Sequence, residues 1–285
     1  MDRVAILTPS PRDEAFGSRW RDVLERNFEP LRDIGLTLER RAWTGEGDLT
    51  GYALVMPLLV WGYHRDQAHW FEAIDRWEAA GVRLMNPPSV LRWNADKSYV
   101  GVLGERGAPV VPTIYADRIT EGALRDAAAA FGTERVVAKP LVSSTAWKTI
   151  RWPGDPLEEG PEGAAMIQPY LTRIETDGEV SLLYFDGRYS HAIRKVPQRG
   201  EFRVQPEYDG IISAYTPAAD ELAAAERILA AVDEKLLYAR VDLVRGLGGD
   251  PELIELELIE PDLYLGYDEA GRRAWAHAVA AASTG

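Results

Sequence analysis

The chain has 285 residues, 46% of them hydrophobic and 27% charged, which suits a globular protein long enough to form more than one lobe. It contains no cysteine, which excludes disulfides, thiolate zinc sites, iron–sulfur clusters and cysteine nucleophiles. The net charge of −13, with a densest basic stretch (Arg188 to Arg203) that is short and carries a glutamate, argues against nucleic acid as a partner, and the longest apolar runs, such as Ala53–Trp61, fall far short of the roughly 20 residues of a membrane span.

In chain order, Val4–Thr8 reads as a buried strand, and Trp20–Leu31 as an amphipathic helix. Leu36–Trp43 and Ala53–Leu59 are strand candidates, followed by a helix from about Asp66 to Ala80 and a strand over Val82–Asn86 that Pro87-Pro88 stops. Strands alternating with helices imply a parallel sheet, and this first lobe ends near Asn94. Next come a helix around Lys97–Arg106, a strand at Pro112–Tyr115, an alanine-rich helix over Glu121–Phe131 and the strand Arg135–Lys139. Hairpins then take over: Glu179–Phe185 and Arg188–Val196 flank Asp186-Gly187, a turn dipeptide suited to positive φ. A helix over Pro217–Leu236, strands at Tyr238–Val244 and Leu253–Glu260, and a closing helix over about Asp268–Ala282 complete the pattern. The N-terminus enters its strand with no basic region or cleavage site, so a cytoplasmic location is expected.

The strand Leu253–Glu260 carries Glu255 and Glu257 on one face, about 6.6 Å apart along the strand. Glutamates repel there and suit strands poorly, so something must offset them. A hairpin centred on the Gly248–Gly249 bond sets Asp242 opposite Glu255 and Arg240 opposite Glu257. Asp242, Glu255 and Glu257, with no histidine or cysteine near in sequence, form an all-oxygen set for Mg²⁺ or Mn²⁺; the competing view is a solvated hairpin face with Arg240 pairing a glutamate. Glu260 faces away from the pair if the strand stays regular. The four histidines, His64, His69, His191 and His277, have no metal-site spacing.

Neither a Gly-x-x-x-x-Gly-Lys-Ser/Thr loop nor a Gly-x-Gly-x-x-Gly fingerprint occurs, so separate lysines and arginines must hold any nucleotide phosphates. Lys139 ends the strand Val-Val-Ala-Lys-Pro, and Ser143-Ser144-Thr145 follows with backbone N–H groups to offer. Lys97 opens a helix after Trp93-Asn-Ala-Asp96, where the helix end adds to its charge. Taken singly, each lysine reads as a solvated surface residue.

The order of these features resembles the ATP-grasp ligases, over essentially the whole chain. Asn94-Ala-Asp-Lys97 looks like the first phosphate lysine of that family, and Val-Ala-Lys139-Pro with its small-residue loop looks like the second. Met166-Ile-Gln168-Pro-Tyr170-Leu171 is similar to the hinge that reads adenine. Glu179 resembles the ribose-binding acid, with Glu175 close enough to compete, and the Asp242 and Glu255–Glu257 strands look like the metal-binding pair. Leu91-Arg-Trp-Asn94, Phe202-Arg-Val-Gln205 and Glu257-Leu-Ile-Glu260-Pro261 resemble a narrower group near the glutathione-synthetase branch, one that includes the cyclo-ligase of D-cycloserine biosynthesis.

The resemblance implies an α/β chain, α+β in its C-terminal part: an N-terminal open parallel-sheet lobe (1–94), a small central lid lobe (95–171) and a C-terminal antiparallel-sheet lobe with the metal site (172–285). It implies ATP and Mg²⁺ (or Mn²⁺) as cofactors, a small carboxylate and amine as substrates, and often a homodimer. The reaction it implies is phosphorylation of a carboxylate by ATP, followed by attack of an amine on the acyl phosphate. Arg194 and Arg203, with Lys195 assisting, are the candidates for the transferring phosphoryl group, because guanidinium makes bidentate contacts. Ser143 and Ser144 would line the phosphate loop, which here has Trp147-Lys148 in place of the usual glycines, leaving Lys148 as a phosphate contact. The acceptor belongs between the first lobe and the metal, near Trp61-Gly-Tyr-His64, aromatics that serve equally as interface packing. The alternative is a non-catalytic, regulatory nucleotide-binding relative.

Overall fold

The computed structural model describes residues 3–10, 16–144, 146–198 and 210–284, so Thr145 and the segment 202–205, with Arg203, lie outside the described residues. Val4 to Leu7 are fully buried, and a strand apolar on both faces must be covered on both. β1 (Arg3–Thr8) is the centre of a parallel sheet, with β2 (Thr37–Ala42) on one side and β3 (Leu54–Met56) on the other. α1 (Arg19–Asp33) sets Trp20, Leu24, Phe28 and Leu31 against Val4 and Ile6. α2 (Gln67–Ala79) sets Trp70, Ile74 and Trp77 against Ala5 and Leu7. The strand expected at Val82–Asn86 is reduced to one bridge between Leu84 and Val55. The chain leaves the sheet there because Asn86 turns away: its Nδ2 donates to the carbonyls of Tyr238 and Leu258, and its Oδ1 accepts from the Leu237 amide.

α3 (Pro88–Ala95) carries Asn94, whose side chain bonds the Leu256 carbonyl and the Leu258 amide. Two buried asparagines thus tie the first lobe to the last. α4 (Tyr99–Glu105) begins later than the sequence suggests: Lys97 precedes it, and the Lys97 amide donates to the Leu141 carbonyl. β4 (Ile114–Ala116), α5 (Glu121–Phe131), β5 (Val136–Pro140), β6 (Ile150–Trp152) and β7 (Ala165–Pro169) make a small lobe, its strands antiparallel in the order β4-β7-β5-β6. α5 starts where Thr120 Oγ1 accepts the Ala123 amide and stops at Gly132, at φ 68°.

The last lobe is an antiparallel sheet in the order β10-β9-β8-β11-β12, built from β8 (Glu179–Phe185), β9 (Arg188–Val196), β10 (Ile211–Tyr215), β11 (Tyr238–Arg245) and β12 (Pro251–Glu257). α6 (Ala219–Ala230) is shorter than the expected Pro217–Leu236, ending where the Ala231 carbonyl accepts from Arg106. With α4 it covers one sheet face through Ala225, Ile228, Tyr99 and Leu103, against Val180, Leu182, Val241 and Leu243. The other face is divided. Leu183, Phe185, Ile193 and Tyr238 pack on Trp275 of α7 (Glu269–Thr284) and on α1. The rest of that face carries Glu179, Ser181, Lys195 and Asp242, all buried. No helix of the described residues is long and apolar enough to cross a membrane.

Candidate active site

The expected register holds where it matters: Arg240 pairs with Glu257 and Asp242 with Glu255, and a bulge follows Asp242. β8 adds Ser181 opposite Asp242, and β9 adds Lys195 opposite Glu179. Alternation therefore collects seven polar side chains on one face, four acids and two cations with Ser181 among them. One oxygen from each of Asp242, Glu255 and Glu257 lies within 4.8 Å of the other two.

Charge pairing offsets the repulsion. Arg240 donates to both oxygens of Asp242 (3.0 Å from Nε, 2.9 Å from Nη2) and also to Glu257. Ser181 Oγ donates to Asp242, and Lys195 Nζ lies 3.5 Å from Asp242 while pairing with Glu179. Burial alone would raise the Asp242 carboxyl; Arg240 and Lys195 outweigh it and bring it down to about 2. Glu257 is pushed up to about 7 by burial, which Arg240 opposes and the charges of Glu255 and Asp242 reinforce. Burial would depress Lys195, but Asp242 and Glu179 hold its ammonium above the ordinary range.

Two lysines face this surface, Lys139 from β5 of the small lobe and Lys97 from just before α4. Lys97 Nζ donates to Glu255 (2.8 Å) and to the Ser143 carbonyl (3.0 Å). Lys139 donates to Gln168 Oε1 (3.0 Å), and Gln168 in turn donates to Thr113. Burial lowers Lys139, and Lys97 adds to the fall against Glu255 and Glu179, so Lys139 stands among the same charges. Ser143 is buried beside Lys97, and the Ser144 carbonyl closes a turn to the Trp147 amide. Leu171 packs with Val111 and Val244 below the hinge.

Several expected members stand elsewhere. Arg194 does not join Lys195: neighbours on a strand face opposite ways, and Arg194 lies on the other sheet face, its guanidinium 5.6 Å from the Tyr215 ring. Lys148 pairs with Glu162 and lies 5.2 Å from the Trp147 ring, so it is engaged away from the cluster. Glu175 accepts from the Tyr170 hydroxyl at 2.6 Å, while Glu179 points at Lys195; of the two acids, Glu179 shares the polar face. Arg203 lies outside the described residues.

Three residues escaped the sequence argument. Ser181 reads as an ordinary strand residue until the register sets it against Asp242. Tyr264 takes a left-handed backbone (φ 48°), rare for a residue with a bulky side chain, and its buried ring lies 5.6 Å from the Arg240 guanidinium and 6.0 Å from the Lys195 ammonium. The only local signal is Asp262, whose Oδ1 accepts the Tyr264 amide in a turn. Glu260 corrects the assumption of a regular strand: β12 ends at Glu257, and Glu260 stands within the field of Glu257, Lys97, Arg240 and Glu255.

A parallel-sheet lobe, a small four-stranded lobe with Lys139 on one strand and Lys97 beside it, and a five-stranded sheet presenting clustered carboxylates define an ATP-grasp ligase. Residues 4–86 match the family model of the D-cycloserine synthetase DcsG N-terminal domain. The cycloserine biosynthesis protein DcsG of Streptomyces lavendulae is 32% identical over 275 residues, 89% of this chain and 91% of that one. The chain belongs to the DcsG family. The crystal structure of D-cycloserine synthetase DcsG superposes with a TM-score of 0.83 at 29% identity, covering 99% of both chains. An ATP-grasp ligase, PsnB, complexed with a phosphomimetic variant of its minimal precursor, Mg and ADP, gives 0.65 at 18% identity, covering 99% of this chain and 98% of that one, a likeness of fold.

Proposed function

We propose that this chain is an ATP-dependent carboxylate–amine ligase or cyclo-ligase acting on a small amino-acid-like substrate through an acyl phosphate. One observation carries the reading: three carboxylate oxygens within 4.8 Å of one another are ringed by Lys97, Lys195 and Arg240, with Lys139 facing them. A purely oxygen donor set of this kind fits Mg²⁺ or Mn²⁺, and Asp242, Glu255 and Glu257 would hold the ion. The ion would neutralise charge on the β- and γ-phosphates during transfer.

The chain's own groups supply the rest. Lys97 and Lys139 hold the phosphates, the hinge over Gln168, Tyr170 and Leu171 positions the adenine, and Glu179 takes the ribose. The γ-phosphoryl group passes to the substrate carboxylate, the amine attacks the acyl carbon, and phosphate leaves with its P–O bond to the former acyl oxygen intact. Lys195 and Arg240 lie where charge develops, and Lys195 keeps its proton because two carboxylates flank it. No protein nucleophile is required, so positioning and charge neutralisation account for the rate. Kinship with a D-cycloserine synthetase supports a substrate of amino-acid size.

The test is ADP release in the presence of Mg²⁺ over a panel of D- and L-amino acids and their O-substituted derivatives. Release that depends on both the metal and one panel member is the expected result. Nucleotide binding with no release for any member would leave a regulatory protein instead.

A further inference from the structure

Of the buried polar atoms that have no partner among the described residues, two lie along the seam between the first lobe and the carboxylate sheet. One is Oε2 of Glu260 and the other Nδ1 of His64. His64 is 7% exposed, stands 6.0 Å from the Trp147 ring, and lies in the field of Lys97, as Glu260 does. Tyr63, beside His64, feels Glu260 most strongly of its charged neighbours, ahead of Glu257 and Glu255. Ile259 fixes the place: its side chain enters the first lobe's core with Tyr63 and Trp70, and its carbonyl accepts from the Tyr238 hydroxyl at 3.0 Å. Glu260 therefore sits on the seam itself, three residues beyond Glu257.

Among the described residues, the two cations in whose field Glu260 stands are engaged elsewhere. Lys97 is committed to Glu255 and the Ser143 carbonyl, and Arg240 to Asp242 and Glu257. An unsatisfied buried polar group is destabilising, and more so when it is a charge. Burial first, and then the charges of Glu257 and Glu255, hold the Glu260 carboxyl well above the ordinary range, so a positive donor, which offsets both, is favoured over a neutral one. Tyr63 and His64 on the opposite wall suit an organic cation with a carbon body better than a bare metal ion.

We propose that this seam is the acceptor subsite and that Glu260 receives there the ammonium group of a primary-amine substrate. The proposal rests on the ligase reading above and names the group that orients its substrate. With the ammonium fixed on Glu260, the remainder of the molecule extends toward Lys97 and the carboxylate cluster, where the phosphoryl group would be transferred.

The experiment is calorimetric titration of the full chain loaded with Mg²⁺ and a non-hydrolysable ATP analogue. The probes are D-serine, L-serine, D-alanine and ethanolamine, each beside its N-acetyl derivative and its hydroxyl counterpart (glycerate, lactate, ethylene glycol). At least one amine should bind roughly tenfold or more tightly than its partners that lack the ammonium, the difference that one charge-assisted hydrogen bond provides. Glu260→Gln should erase that preference and leave analogue affinity unchanged. Because the variant also removes an orphaned buried carboxyl, it should melt higher than the wild type without ligands. A preference that survives Glu260→Gln, a wild type with no amine preference, or a variant that melts lower would each overturn the subsite. Failure of the wild type to bind the analogue would strike the ligase reading instead.

Discussion

Replacing Asp242 by asparagine tests how the carboxylate face is held. Asp242 is 1% exposed and accepts from Arg240, Lys195 and Ser181. Its carboxyl is held at about 2 instead of the ordinary 3.8, and at ~1.4 kcal/mol for each pH unit this displacement corresponds to about 2 kcal/mol of folding stability. Breaking a buried ion pair costs ~3–5 kcal/mol when it strands a charge. Here Arg240 keeps Glu257 and Lys195 keeps Glu179, so the cost belongs at the low end, about 2–3 kcal/mol. At ~2–4 °C per kcal/mol for a chain of this size, the midpoint should drop by roughly 5–10 °C. The sign with pH follows from the lowered carboxyl. The stabilisation is complete above the unfolded value of 3.8 and is lost as pH falls through about 2, so the gap between the two proteins should narrow below pH 4. Urea unfolding at pH 7 and again down to pH 3 measures this. A loss under about 1 kcal/mol at pH 7, or a gap unchanged at pH 3, would refute the charge-pair account.

Glu255→Gln should abolish Mg²⁺-dependent ADP release, by roughly a hundredfold or more, while circular dichroism stays native; unchanged release would remove the metal assignment. Asn94→Ala should cost about 2–4 kcal/mol in urea unfolding, since it deletes two buried bonds to β12 and its continuation and strands the Leu256 carbonyl and Leu258 amide; a loss below about 1 kcal/mol would show that the lobes are held otherwise. His64 is lowered to about 4 by burial, with Arg65 and Lys97 adding to the fall, so the folded chain keeps it neutral. Unfolded chains bind that proton near 6.5, so stability should fall as pH drops from 6.5 to 4, by about 1–2 kcal/mol after allowance for solvent, and His64→Phe should flatten the slope in that range.

Strand alternation made the carboxylate site legible because it is a local rule. Given a hairpin over Gly248-Gly249, the facing of Asp242, Glu255 and Glu257 follows without any knowledge of the rest of the chain. The same rule, applied to Arg194 and Lys195, would have separated them; grouping them by charge overrode it. What could not be read depended on contacts distant in sequence. Val82–Asn86 has strand composition, yet Asn86 bonds residues about 150 positions away and pulls the segment from the sheet. Glu260 was misjudged because nothing local shows that β12 stops at Glu257. Tyr264 owes its place to a strained backbone that surrounding contacts enforce, which composition does not record.

The free chain satisfies its site with the charges it would use on ligands. Lys97 bonds Glu255, Lys195 bonds Glu179, and Arg240 bonds Asp242 and Glu257. One ammonium cannot direct its donors at a carboxylate and at a phosphate in different places with full strength. A phosphate drawing Lys97 away would leave Glu255 uncompensated in a half-buried setting, and a divalent ion is the group able to replace the lost charge. In the same way a cation on Glu255 would release Lys97 for an anion. These bonds therefore couple the two occupants: each lowers the cost of desolvating the partner that the other needs, so metal and nucleotide should bind more tightly together than either does alone. Glu260 stands outside this exchange, because no described residue hydrogen-bonds its Oε2 in the free state. On the proposal made above, that difference would separate the groups that hold a metal nucleotide from the one left for a substrate.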